Sequence, residues 1–158
     1  MLLCHLDTML NSDSFQPVVL TKNHCSVASV IHQTGFDFSW STETFESLLL
    51  LPTTLGWIDE TGVLICSCVC DEIEILTICV HKKYRHHGYG DKWLDFLFQY
   101  ADAHQINRIL LEVSVENIPA LKLYQKKGFI EIARRKNYYK KKDGTFCDAV
   151  CMEKQISF

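Results

Sequence analysis

The sequence predicts a mixed α/β (α+β) sheet covered by helices. Short β-branched runs interleave with stretches that repeat apolar residues every three to four positions, so strands and helices alternate. Residues 75–80 form an apolar strand pattern that runs through a polar turn, Gly88-Tyr89-Gly90, straight into a strongly apolar helix pattern. Toward the end, two strand-like runs flank Lys142-Asp143-Gly144, a hairpin signal.

The elements follow in order. Residues 15–21 read as a first strand, and Pro17 places it at an edge. Thr21 or Asn23 caps a helix to Thr34, with Val27, Val30 and Ile31 as its apolar stripe and Gly35 as its stop. Residues 36–40 form an aromatic loop. Ser41 or Thr42 then caps a second helix that buries Phe45, Leu48 and Leu49 and ends at Pro52. Residues 55–58 and 63–70 are strands around an Asp59–Gly62 turn, and residues 73–80 are the next strand. The helix after Gly90 shows Leu94, Leu97, Phe98 and Ala101 at one-face spacing. Residues 108–115 form a continuous apolar strand that suits a sheet centre covered on both faces. Asn117 caps the last helix, Pro119 sits in its first turn and Gly128 follows its end. Residues 129–139 and 146–154 make the closing hairpin. The expected order is β-α-α-β-β-β-α-β-α-β-β.

Composition sets the outer limits. Length 158 fits one domain over residues 14–158, preceded by an extension, residues 1–13, with no period and no assigned role. No apolar run approaches the roughly eighteen residues of a membrane span, and the start lacks a secretory pattern, so a cytoplasmic, membrane-free protein is expected. The net charge of −3 argues against a general nucleic-acid binder. Eight cysteines show no zinc-ligand spacing, so no metal is expected, and they read as buried free thiols of a reducing compartment. Cys66, Cys68 and Cys70 alternate and share one strand face.

The strand, glycine turn and helix start at residues 75–91 make an anion-binding device. Unpaired N–H groups and a partial positive charge meet where glycine lets a phosphate come close. A second block extends this. Residues 111–117 read L-E-V-S-V-E-N, followed by Ala120-Leu121-Lys122-Leu123-Tyr124 and Lys127-Gly128-Phe129. Together with Arg85-His86-His87-Gly88-Tyr89-Gly90, these residues resemble the acyl-CoA motif and second block of the GCN5-related N-acetyltransferases (GNAT). Phe38-Ser39-Trp40-Ser41 and Arg135-Lys136-Asn137-Tyr138-Tyr139 resemble the subgroup that acetylates a ribosomal protein's N-terminal alanine. The resemblance covers about residues 15–154.

The resemblance implies the GNAT fold and acetyl-CoA as co-substrate. The strand before the turn should bulge and splay from its neighbour, with pantetheine pairing to Ile78, Cys79 and Val80. The pyrophosphate should sit over His86, His87, Gly88, Tyr89, Gly90 and Asp91, with Asn117 as a further cofactor contact or simply a helix cap. His86 and His87 stand where the family more often has arginines, and Asp91 where it has a base, which lowers the local positive charge. CoA binding is then expected to be weaker or more pH-sensitive.

Acyl transfer to an amine needs a base, an oxyanion donor and a proton for the leaving thiolate. Glu112, in an apolar strand where burial disfavours charge, matches the family's general base. Tyr124 matches its general acid, and a backbone N–H near Cys79 or Val80 is the candidate oxyanion donor. Cys79 lies near the expected thioester, but the family transfers directly within a ternary complex. Trp40, Tyr138 and Tyr139 are the expected acceptor walls. An α-amine of pKa 7.7–8.0 is roughly a tenth neutral at pH 7, whereas lysine costs roughly 3 to 3.5 kcal/mol more to deprotonate. One modest base thus suits an α-amine. The expected partner is the N-terminus of a ribosomal protein, small-subunit protein eighteen in the subgroup. Alternatives are another amine, lysine or small molecule, or a silent acyl-CoA-binding partner subunit. Arg134, Arg135, Lys136, Lys140, Lys141 and Lys142 read as a solvated basic hairpin.

Overall fold

A computed structural model describes residues 15–156. The expected extension, residues 1–13, lies outside the described residues. The elements are β1 (Val18–Val19), α1 (Cys25–Gln33), α2 (Thr42–Leu49), β2 (Thr54–Asp59), β3 (Gly62–Val69), β4 (Glu72–Val80), α3 (Tyr89–Ala103), β5 (Arg108–Ser114), α4 (Ile118–Lys126), β6 (Ile130–Lys140) and β7 (Phe146–Gln155). Their order is the expected one.

The strands form one seven-stranded sheet in the order β1-β2-β3-β4-β5-β7-β6. All neighbours are antiparallel except β4 and β5, which α3 joins as a parallel crossover pair. The first strand shrinks to two exposed residues at the sheet edge, as Pro17 foreshadowed.

Each face has its own core. Trp93, Leu94, Leu97 and Ala101 of α3 pack with Tyr124 of α4 on Ile73, Ile75, Ile109, Leu111 and Val113. Cys25, Ala28 and Ile31 of α1 pack with Phe45 of α2 on Ile58, Val63, Ile65 and Cys79. Two helix stripes differ from expectation. Val27 and Val30 are exposed, and α1 instead buries Cys25, Ala28, Ser29, Ile31 and His32, because its face is rotated toward β4. Leu48 and Leu49 are only partly covered beside buried Phe45.

β5 also departs from expectation. It alternates, with Ile109, Leu111 and Val113 buried and Leu110, Glu112 and Ser114 half-exposed. Helices α3 and α4 cover one face, while α1 and α2 reach only the β2–β4 side of the other. The seven cysteines among the described residues are free. Cys66 is buried, Cys68 is partly covered and Cys70 is exposed in the β3–β4 turn, so not all of them are core thiols.

One glycine is required by space. A Cβ on Gly62 would lie 2.5 Å from the Cys79 carbonyl oxygen and 2.8 Å from Trp93 Nε1. The turn before it is tied by Asp59, whose carboxylate accepts from the Thr61 N–H and hydroxyl at 2.7 and 2.6 Å. Trp93 Nε1 donates to that same buried hydroxyl at 3.2 Å, which locks α3 to the β2–β3 turn.

Candidate active site

The sheet opens in its middle. β4 and β5 pair only from Glu72 with Arg108 to Ile75 with Leu111. Immediately beyond, β4 bulges: Ile65 faces Thr77 but Cys66 faces Ile75, leaving Leu76 as the extra residue. The strands then part, and a cleft of about 680 Å³ lies where they diverge. Leu76, Thr77 and Ile78 form one wall, and residues 111–114 of β5 form the other. The start of α4 closes one end. The aromatic loop and residues 138–140 of β6 close the other end.

Glu112, Tyr124, Asn117, Ile78, Trp40, Tyr138 and Tyr139 all line this one cleft. The other expected cofactor residues do not line it. Cys79 turns its thiol to the opposite face, 3.5 Å from the Ile31 carbonyl, where burial pushes it up, so it offers no nucleophile to the cleft. The Val80 carbonyl accepts from Arg85 Nε at 3.0 Å, and Arg85 Nη2 donates to the Thr34 carbonyl at 2.7 Å. The arginine that opens the glycine motif therefore ties α1 to β4 rather than reaching outward.

The turn lies at the open end of β4. His86, His87 and Gly88 are exposed. Gly88 caps α3 at φ 80, a conformation natural to glycine, and a Cβ there would meet nothing within 4 Å. The fifteen-residue helix behind it points its positive end to that open space. Asp91 in the first turn is not a net anion in its surroundings. Lys126 and Lys127 at the end of α4 lie 2.6 and 3.3 Å from its carboxylate, and the Lys126 contact holds that carboxyl below its ordinary value. Asp91 stands where the family pattern has a basic residue, and Lys126 and Lys127 at the end of α4 set two cations beside it.

Tyr124 is 7% exposed and packs edge-on against Phe129 with ring centroids 5.6 Å apart. Burial, and then the neighbouring Tyr139, push its phenol far up, so it holds its proton. Its hydroxyl makes no hydrogen bond among the described residues. Asn117 is the helix cap: its side chain accepts from the Ala120 N–H at 3.3 Å.

Glu112 sits differently from expectation. It is not enclosed in an apolar strand but lies on the half-open face, its side chain 23% exposed. Arg135 Nη1 donates to its Oε1 at 2.8 Å and the Cys151 thiol approaches the same oxygen at 3.6 Å. Tyr139 donates its hydroxyl to the Glu112 backbone carbonyl at 3.3 Å, and burial followed by the Glu112 charge pushes that phenol up to about 12.

Consecutive strand residues normally point to opposite faces. Tyr138 and Tyr139 both reach the cleft because β6 bulges between Arg135 and Tyr139. There Asn137 adopts φ 51, and Asp148 accepts its N–H at 2.9 Å.

His32 was not foreseen. It is 2% exposed and lines the cleft. Its ring stacks between Phe36 and Trp40, at 4.2 and 5.0 Å. Nδ1 accepts from the Trp40 N–H at 3.0 Å, so Nε2 carries the proton and donates to Thr77 at 3.1 Å. Burial pushes this histidine down to about 4, and it is neutral at pH 7. It thereby pins the aromatic loop to the bulged strand. Four residues of the basic hairpin are paired: Arg134 with Glu131, Arg135 with Glu112, Lys141 with Glu116 and Lys142 with Asp37. Among the described residues no helix is long and apolar enough to cross a membrane, and no three metal-ligating side chains gather.

Residues 31–129 match the acetyltransferase (GNAT) family. The chain is 38% identical over 88 residues to the [ribosomal protein bS18]-alanine N-acetyltransferase of Haemophilus ducreyi, a match spanning 56% of this chain and 61% of that protein. It is 31% identical over 131 residues to the Escherichia coli K12 enzyme of the same name, spanning 80% of this chain and 88% of that protein. The crystal structure of the Escherichia coli ribosomal-protein-S18-alanine N-acetyltransferase superposes with a TM-score of 0.84 at 29% identity, covering 90% of this chain and 94% of that one. The cleft between splayed parallel strands and the match over most of its length agree: this chain belongs to the acetyltransferase (GNAT) family.

Proposed function

We propose that this protein is an acetyl-CoA-dependent N-acetyltransferase acting on the N-terminal α-amine, alanine, of a ribosomal protein of the bS18 kind in the cytoplasm. One observation carries the reading: Glu112 and the proton-holding Tyr124 line the same cleft between the splayed strands β4 and β5. The names of the relatives point to the same acceptor.

The residues present fit the co-substrate. β4 beyond Ile75 has an edge without a β5 partner, which suits the amides of a pantetheine arm at Ile78 and its neighbours. The helix start at Gly88, with open space before it and Lys126 beside it, suits a diphosphate. Acetyl-CoA supplies an activated acyl group as a thioester. The chain's own groups do the rest. Glu112 takes a proton from the acceptor ammonium, directly or through water, and leaves a neutral amine. A backbone N–H on the open edge of β4 receives the oxyanion. Tyr124 gives its proton to the departing thiolate. Burial keeps the phenol protonated at neutral pH, so a proton is in place when the thiolate leaves. Trp40, Tyr138 and Tyr139 wall the acceptor end, with His32 holding Trp40 in place.

Mass spectrometry of a peptide panel incubated with acetyl-CoA tests the reading. The panel holds peptides starting with alanine, serine and methionine, and one with a blocked N-terminus and an internal lysine. Acetylation of the alanine peptide at its α-amine is expected. Acetylation of the blocked peptide alone overturns the claim.

A further inference from the structure

The basic hairpin carries one residue paired with a carboxylate that lines the cleft. Arg135 extends from β6 to Glu112, the one carboxylate the reaction needs free. We propose that Arg135 is a gate on the acceptor site: its guanidinium occupies the seat on Glu112 that a cationic acceptor must take, so that amine binding and Arg135 release are one exchange. This rests on the reading of Glu112 as the base.

Three features build such a gate. The ion pair is short, 2.8 Å, yet the arginine side chain is 52% exposed, so the bond is well formed but open to solvent and weak enough to exchange. A second seat lies beside the first: the Arg135 Cζ is 4.0 Å from the centroid of the Tyr138 ring, a cation–π position that remains when Glu112 is taken. The strand is also irregular at this point. Arg135 pairs with Ala149 and Tyr139 with Cys147, so three residues of β6 stand opposite Asp148 alone. That bulge lets Tyr138 and Arg135 share the cleft rim.

The groups facing the pair are few. Cys151 of β7 approaches the same carboxylate oxygen, and the Tyr139 hydroxyl bonds the Glu112 backbone carbonyl. An ammonium arriving at the other carboxylate oxygen would stand beside the guanidinium. Like charges that close repel, and the exposed guanidinium has somewhere to go, so the arriving cation drives Arg135 toward Tyr138 and solvent. The consequence is a substrate class: acceptors that arrive as ammonium ions open the site, and an N-terminus blocked as a neutral amide does not.

The test compares wild type with R135Q, R135K and E112Q, using an alanine-starting octapeptide as acceptor and acetyl-CoA as donor from pH 6 to 9. R135Q is expected to lower the acceptor KM about 1.5- to 5-fold, the worth of a part-exposed ion pair, with the acetyl-CoA KM unchanged. R135K keeps the wild-type profile. An R135Q enzyme with unchanged or raised acceptor KM overturns the gate. R135M serves as the second variant if R135Q melts early. E112Q separates the two ideas. Wild-type turnover in E112Q refutes the base itself; an inactive E112Q beside a flat R135Q refutes the gate alone.

Discussion

Acid should loosen the aromatic loop through His32, and the size of the effect follows from its surroundings. The ring is buried, with Nδ1 accepting from Trp40 and Nε2 donating to Thr77. Protonation would put a second N–H on Nδ1, pointing at the Trp40 N–H, and would charge a ring enclosed by Phe36, Trp40 and Phe45. Its folded value is lowered from 6.5 to about 4. Between those values the unfolded chain binds the proton and the folded chain does not. Stability from this group is therefore complete above pH 6.5 and is lost as pH falls toward 4. At 1.36 kcal/mol per unit, the full loss is about 3.4 kcal/mol, and about 2.7 kcal/mol is gone by pH 4.5. Urea unfolding of wild type and His32→Gln at pH 7 and pH 4.5 measures it. At pH 7 the variant is less stable by about 1 to 3 kcal/mol, the loss of a buried hydrogen-bonded group. Other titrating groups are common to both proteins, so the gap between them should shrink by about 2.7 kcal/mol at pH 4.5. A gap that stays constant across that range would refute the assignment of a neutral, buried His32.

Tyr124→Phe should fold normally and lose about 10²-fold or more in kcat, the share of a general acid, with the acetyl-CoA KM nearly unchanged; steady-state kinetics would show otherwise if the phenol is only core. Gly62→Ala places a methyl against the Cys79 carbonyl oxygen and the Trp93 indole, and should cost about 1 to 3 kcal/mol. By calorimetry that is a fall in Tm of roughly 2 to 12 °C for a chain of this size. Asp91→Asn removes the anion between Lys126 and Lys127. It should lower the acetyl-CoA KM a few-fold at low salt, and the gain should vanish near 1 M salt, where the screening length falls to about 3 Å; an unchanged KM at both salt levels would sink that reading.

Much of this protein was legible in its sequence. The element order was, because helix and strand periods, caps and glycine stops are local signals read over a few residues. Ser41, Asn117, Gly88 and Gly128 each sit where a cap or turn demands their chemistry. The strand-turn-helix motif and the Leu111–Phe129 block were legible for the same reason. What only the tertiary structure decided lies across long separations. His32 meets Thr77 over 45 residues and Arg135 meets Glu112 over 23. Neither partner carries a local mark, and a buried histidine or a hairpin arginine reads as ordinary until its neighbour is known. The faces of α1 and β5 were misjudged for a related reason. Apolar spacing says that a face exists, but which sheet surface lies beneath it is set by packing, and the half-open face of β5 gives Glu112 a cation partner in place of an apolar enclosure. Tyr138 and Tyr139 share the cleft only because β6 slips register between Arg135 and Tyr139, a shift made by pairing with β7 and by the Asp148 carboxylate.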